Sequence, residues 1–180
     1  MLIAQEKRKN NIAEYILYMW QIEDIIRASK FDANTIRSSI IDQYNQPPDI
    51  KHEISEWYIG LIEMMKNEHI EKKGHLQFVK AKIADLEDLH NRLLAKSDET
   101  QYQEQYHWTK PNIEAFRKKA GVDKMSEIEL CLTGLYAILL MRMQKREISS
   151  ETNEAIITFS RLLALISQKY KLLEEGKLEL

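Results

Sequence analysis

Cysteine, glycine, proline and valine are all scarce in this 180-residue chain. The single cysteine, Cys131, excludes an internal disulfide and a cysteine-based zinc site. The five glycines, at 60, 74, 121, 134 and 176, lie too far apart for a phosphate-cradling loop, and no Gly-x-Ser-x-Gly elbow occurs. Together with only three prolines they are also too few for a turn-rich all-β chain, and valine occurs only at Val79 and Val122. Neither sign of charge prevails: 26 Lys and Arg face 28 Asp and Glu, for a net charge of −2. Such a balance does not make a general binder of nucleic acid or anionic membrane. The longest uncharged apolar run, Leu130 to Met141, has 12 residues; crossing a bilayer takes roughly 20. The apolar Met1–Ala4 precedes the basic Lys7–Lys9, the reverse of a secretory signal. These absences lead us to expect a cytoplasmic protein without a membrane segment.

What is present is helical periodicity. Apolar residues recur at spacings of three and four, with almost no strict alternation. A first helix, from Ala4 or Asn11 to Ser29, carries Ile12, Tyr15, Met19, Ile22 and Ile26. A short one after Asp32, an N-cap residue, carries Ile36, Ile40, Ile41 and Tyr44 and stops at Pro47-Pro48. The third starts at that pair with a seam of Ile50, Ile54, Trp57, Leu61 and Met64, and Gly74 marks the break after it. The fourth has the cleanest stripe: Leu76, Val79, Ile83, Leu86, His90, Leu93. Ser97-Asp98 with Gln101 resembles a capping box. Beyond it an aromatic stretch (Tyr102, Tyr106, Trp108) is expected to be divided by Pro111 from a second short helix that ends at Gly121. Ser126 and Glu129 form a capping box for Glu127 to Lys145, apolar in nearly every direction and so expected to be central. Ser149 or Ser150 opens the last helix, with Ile156, Phe159, Leu163, Ile166, Tyr170 and Leu173 inward. The expected fold is all-α: one single-domain helical bundle over residues 1–180, with about five long and two or three short helices. Trp57, Leu61, Ile83, Leu86, Leu135, Leu139, Leu163 and Ile166 are its predicted core.

Three strings carry a resemblance. They are Leu2-Ile3-Ala4-Gln5 with Asn11-Ile12-Ala13-Glu14-Tyr15 and Leu17-Tyr18-Met19-Trp20-Gln21, then Lys73-Gly74-His75-Leu76-Gln77, then Leu135-Tyr136 leading to Gln144-Lys145-Arg146-Glu147-Ile148-Ser149. In order and over the whole chain, they resemble an uncharacterised bacterial family of similar length, a domain of unknown function. The resemblance implies an all-helical fold and a bacterial origin, and it implies no activity and no catalytic residues.

The search for chemistry yields few candidates. Glu87-x-x-His90 and Glu104-x-x-His107 repeat the ligand motif of di-metal helical bundles. At about 100° per residue, His90 falls on the apolar face of its helix with Glu87 at the edge, whereas Glu104 and His107 point away from Tyr102 and Tyr106. Glu87, His90 and Glu23 are therefore the candidate metal ligands, set against a buried histidine bonded to one polar neighbour and Glu23 as a solvated flank. His69 and His75 flank Gly74 in a charged loop, and His52 is expected in solvent. Cys131, among leucines, reads as a core thiol. The basic runs Lys7–Lys9 and Arg117–Lys119, the second near Tyr102, Tyr106, His107 and Trp108, are weighed against nucleic-acid binding by the acidic balance of the whole.

No catalytic motif is present and no cofactor is expected. The leading expectation is a non-catalytic helical interaction protein that forms a homodimer; the alternative is a helical-bundle ligand or metal binder, or enzyme, with a pocket near His90. The dimer interface is expected on the last helix, where Ile157, Ala164, Leu165 and Leu172 form an apolar strip away from its main stripe. Cover of that strip by the short helix Ile36 to Tyr44 is the competing arrangement.

Overall fold

The computed structural model describes residues 2–179. Eight α-helices and one 3₁₀ turn are found among them, and no strand. They are α1 (Leu2–Asn10), α2 (Ile12–Ala28), α3 (Ala33–Ser39), a 3₁₀ turn (Ile41–Gln43), α4 (Pro48–Asn67), α5 (Gln77–Ala95), α6 (Thr100–Ala120), α7 (Glu127–Met143) and α8 (Ser150–Glu174). The fold is all-α, as the periodicity requires. The chain divides into two compact units: Met1–Arg8 with Glu14–Ala81, and Lys9–Ala13 with Lys82–Leu180. The division falls inside α5, after Ala81.

In the first unit, α2 turns Tyr15, Met19, Ile22 and Ile26 inward, and Ile16 and Trp20 widen that buried face. Of the two expected starts of the first helix, Ala4 and Asn11, the structure has the second: α2 begins at Ile12, and a separate α1 ends at Asn10. Asn10 and Asn11 are weak helix formers whose side chains compete for backbone groups. Asp32 caps α3 by accepting from the N–H groups of Asn34 and Thr35 at 3.1 and 3.2 Å. Pro47-Pro48 opens α4 with a proline in its first turn, where no amide proton is needed. The seam of α4 is rotated from the expected one. Tyr58, Ile62 and Met65 are buried with Ile54 and Leu61, while Ile50 and Trp57 are half-buried and Met64 is 39% exposed. Two overlapping 3–4 patterns exist on this helix, and burial selects the one through Tyr58.

The second unit gathers the rest of α5 with α6, α7 and α8. The α5 stripe is buried at every expected position, from Leu76 to Leu93. The two short pieces expected around Pro111 are instead one 21-residue helix, α6, with the proline inside it. Pro111 faces solvent, while Tyr102, Thr109 and Ile113 on the other side are buried. Packing of that side carries the helix through the hydrogen bond that proline removes. The Asp98 capping box does not form either. The N-cap is Glu99, whose side chain makes no capping bond and pairs with Lys169 instead, and Gln103 sends its amide to the carbonyls of Leu94 and Lys96 at 3.2 and 2.7 Å. Gly121, at φ 66°, closes α6 in the left-handed conformation. Ser126 and Ser149 cap α7 and α8 through the N–H groups of Glu129 and Thr152.

The expectation of a central α7 holds for its first half only. Ile128, Leu130, Cys131, Leu132, Gly134 and Ile138 are buried, Leu135 and Leu139 are half-buried, and Met143 is 69% exposed. Gly134 permits close approach of α8: a Cβ there would stand 2.9 Å from the ring of Phe159, itself 1% exposed. Gly134→Ala is therefore expected to lose about 1–3 kcal/mol in denaturant unfolding, despite alanine's better helix propensity. Gly60→Ala, whose Cβ would meet nothing within 4 Å, should gain up to about 1 kcal/mol. Equal behaviour of the two variants would contradict this packing.

Candidate functional site

His90 projects from the buried stripe of α5 and is 1% exposed. Its Nδ1 lies 2.6 Å from the hydroxyl of Tyr102 on α6, and its Nε2 lies 3.3 Å from Glu127 on α7. A carboxylate can only accept, so Nε2 carries the proton and donates to Glu127, and Nδ1 accepts from Tyr102 O–H. One tautomer thus satisfies both nitrogens. The ring of Tyr106 stands edge-on to the imidazole at 5.0 Å. The hydrogen bond from His90, aided by Tyr106, holds the Glu127 carboxyl below its ordinary value, against the opposing effect of burial. Burial pushes the hydroxyl of Tyr102 and the thiol of Cys131 upward, which makes the thiol inert as a nucleophile.

Glu87 does not share this network. One turn before His90 on α5, it accepts from the Ile128 N–H at 3.2 Å, and so caps α7 beside Ser126. Favourable placement of a carboxylate at a helix N-terminus explains the choice of partner. Of the second Glu-x-x-His pair, Glu104 and His107 are exposed, as helical geometry demands.

Glu23 forms a separate joint within the first unit. It is fully buried, accepting from Leu76 N–H at 2.9 Å and meeting His75 Nδ1 at 2.6 Å. Trp20, one turn earlier on α2, stacks on the His75 ring at 4.4 Å and 19°. Arg27, one turn later, donates to the carbonyls of Ile70 and Gly74 and pairs with Asp24 at 2.9 Å. The α4–α5 loop is thereby fastened to α2 by Trp20, Glu23 and Arg27. Sequence reading missed this joint and placed Glu23 in solvent. The available signal was the 3–4 spacing of those three residues on one side of α2. His75 keeps 31% of its side chain exposed, and Glu23 with Trp20 fixes the orientation of its ring. Among the described residues no three His, Cys, Asp or Glu side chains converge as a metal-ligand set.

The surface of the second unit has a different character. Trp108 on α6 is 72% exposed and Ile157 on α8 is 50% exposed. Between these helices runs an open groove of about 440 Å³, lined by Gln105, Trp108 and Asn112 on one side and by Glu154, Thr158 and Arg161 on the other. Of the strip residues on α8, Ile157 and Ala164 are exposed, and Leu165 and Leu172 are half-buried. Leu165 lies two turns beyond Thr158, whose carbonyl accepts from Thr109 of α6 at 3.3 Å, so α6 stands on that side of the strip. The short helix α3 packs on α4 within the first unit. Near the basic run, Tyr102 is buried and Arg117 is held by the carbonyls of Asp123 and Met125, which leaves His107 and Trp108 as the outward-facing rings.

The Glu127 geometry fixes a pH dependence. Its folded-state value is depressed, so the stability it contributes is in place above the ordinary value of 4.5 and is lost as the pH falls through the depressed one. Glu127→Gln should be less stable than the parent chain at pH 7, and the gap should close below pH 4.5. A gap that stays constant down to pH 3 would contradict the hydrogen-bonded carboxylate.

No helix among the described residues is long and apolar enough to cross a membrane. Neither the curated proteins nor the solved structures include a match to this chain. A family model does match, over residues 1–177, under the description domain of unknown function (DUF4924). With nearly the full length matched, and with an all-helical fold, the chain belongs to the DUF4924 family.

Proposed function

We propose that this chain is a non-catalytic, cytoplasmic helical interaction protein that self-associates as a homodimer through the outer surface of α6 and α8. The observation that carries this reading is the indole of Trp108, 72% exposed where it lines the α6–α8 groove, together with Ile157 of α8, 50% exposed and next in sequence to the groove-lining Thr158. Scattered small apolar groups are normal on a protein surface, but a large aromatic ring left mostly in water forgoes burial worth on the order of 1.5–3 kcal/mol. Tryptophan is also among the residues that most often anchor interfaces. Ala164, exposed two turns beyond Ile157, continues the apolar edge of α8, and the half-buried Leu165 and Leu172 flank it.

The interior supports the same reading. His90 has both nitrogens engaged, Glu87 and Glu23 each accept backbone protons, and Cys131 is a buried thiol. These groups hold helices together, and the chemistry left to the molecule is that of its surface.

Sedimentation equilibrium over a range of concentrations tests the reading. The chain should show a species of twice 21.3 kDa, and Trp108→Ala with Ile157→Glu, both at exposed positions, should be folded and at least tenfold weaker in self-association, since about 1.4 kcal/mol lost is a factor of ten. A parent chain that stays monomeric at high concentration would overturn the proposal.

A further inference from the structure

The outer side of α6 bears a regular stripe. Glu104, Trp108, Pro111, Ala115 and Lys118 follow one another at steps of four, three, four and three, and all five are exposed. That spacing keeps them on one line of the helix, the geometry of a coiled-coil seam. Apolar contacts fill the middle, and charges of opposite sign close the ends. Among the described residues neither Glu104 nor Lys118 joins an ion pair, whereas Lys110 lies over the ring of Tyr106 and Arg117 is bonded to carbonyls.

We infer that this stripe is where two copies of the chain meet, antiparallel, about a two-fold axis at Pro111. The inference rests on the self-association proposed above and assigns its seam. An isologous interface must be its own complement: whatever lies a given distance before the axis has to suit what lies the same distance after it. The ends of the stripe meet this condition. Glu104 and Lys118 are each seven residues from Pro111, so reversal of one helix sets Glu104 against Lys118 of the partner subunit at both ends. Trp108, three residues before the centre, comes within one residue, about 1.5 Å, of the level of Ala115 of the partner subunit, four after it, where a small side chain leaves room for an indole. At about 1.5 Å per residue the seam from Glu104 to Lys118 is about 21 Å long, four turns of helix. Parallel pairing would set Glu104 beside Glu104 and Lys118 beside Lys118, an arrangement that like charges disfavour. A chemically unrelated partner would leave this reversal symmetry without a reason.

Charge reversal tests the seam with residues that are exposed and outside the fold's interior. Glu104→Lys and Lys118→Glu, each alone, place like charges opposite each other twice per dimer. Each should weaken self-association by about tenfold at low ionic strength, where such contacts are least screened. An equimolar mixture of the two variants should regain the parent affinity, because both end contacts then join opposite charges, and the Glu104→Lys/Lys118→Glu chain should do so by itself. Circular dichroism verifies that each variant is folded. A parent chain that dimerises while both single variants dimerise equally well would overturn this seam and leave self-association standing. A parent chain that is monomeric throughout would overturn both.

Discussion

A histidine buried among three helices must find a donor and an acceptor, and in the second unit that requirement sets how α5, α6 and α7 meet. His90 reaches Tyr102 with one nitrogen and Glu127 with the other, at 2.6 and 3.3 Å. An unsatisfied imidazole nitrogen in this place would cost about 1–3 kcal/mol, so rotation of any one of the three helices is penalised by the other two. Glu87 adds to the constraint from the same turn of α5 by capping the first turn of α7. The apolar residues around them supply the bulk of the driving force, but they are non-directional. The polar contacts select one arrangement among the many that would bury the same area.

The first unit uses the same device with different residues. Glu23, fully buried, accepts one backbone proton and one imidazole contact from the α4–α5 loop, and Arg27 takes up that loop's carbonyls. Left-handed residues at His69 and Gly74 bend the loop so that its polar groups turn toward α2. Titratable side chains that would read as a metal site or a general base in isolation are thus joints between elements. Outward on α6, Trp108 is 72% exposed and Glu104 and Lys118 join no ion pair among the described residues, and on α8 Ile157 is 50% exposed.

Local features were the most legible in the sequence. Asp32, Ser126 and Ser149 are the caps that their residue types announce, Gly121 adopts the left-handed conformation expected of it, and the α5 stripe is buried throughout. His90 was legible as a buried polar residue because its neighbours in the stripe fixed its direction. Its partners were not, since Tyr102 and Glu127 lie 12 and 37 residues away, and no periodicity reports which helices adjoin. Pro111 misled because a local rule, the proline break, was overridden by packing on the opposite side of α6. Glu23 misled for a related reason: an acidic residue flanking an apolar stripe is ordinarily solvated, and only the loop folded against it makes burial favourable. On α4 both Trp57 and Tyr58 fit a helical face, and the choice between them lies in contacts that the segment itself does not contain.

The central claim is that His90 is a structural junction through which Tyr102 and Glu127 act together. A double-mutant cycle measures this directly, with unfolding free energies of the parent, Tyr102→Phe, Glu127→Gln and the combined variant. The two sites belong to one hydrogen-bonded chain, so their effects should be non-additive, with a coupling energy of about 0.5–3 kcal/mol. Strict additivity, with each change costing the same whether or not the other is present, would mean that the imidazole does not link the two helices and would contradict the account.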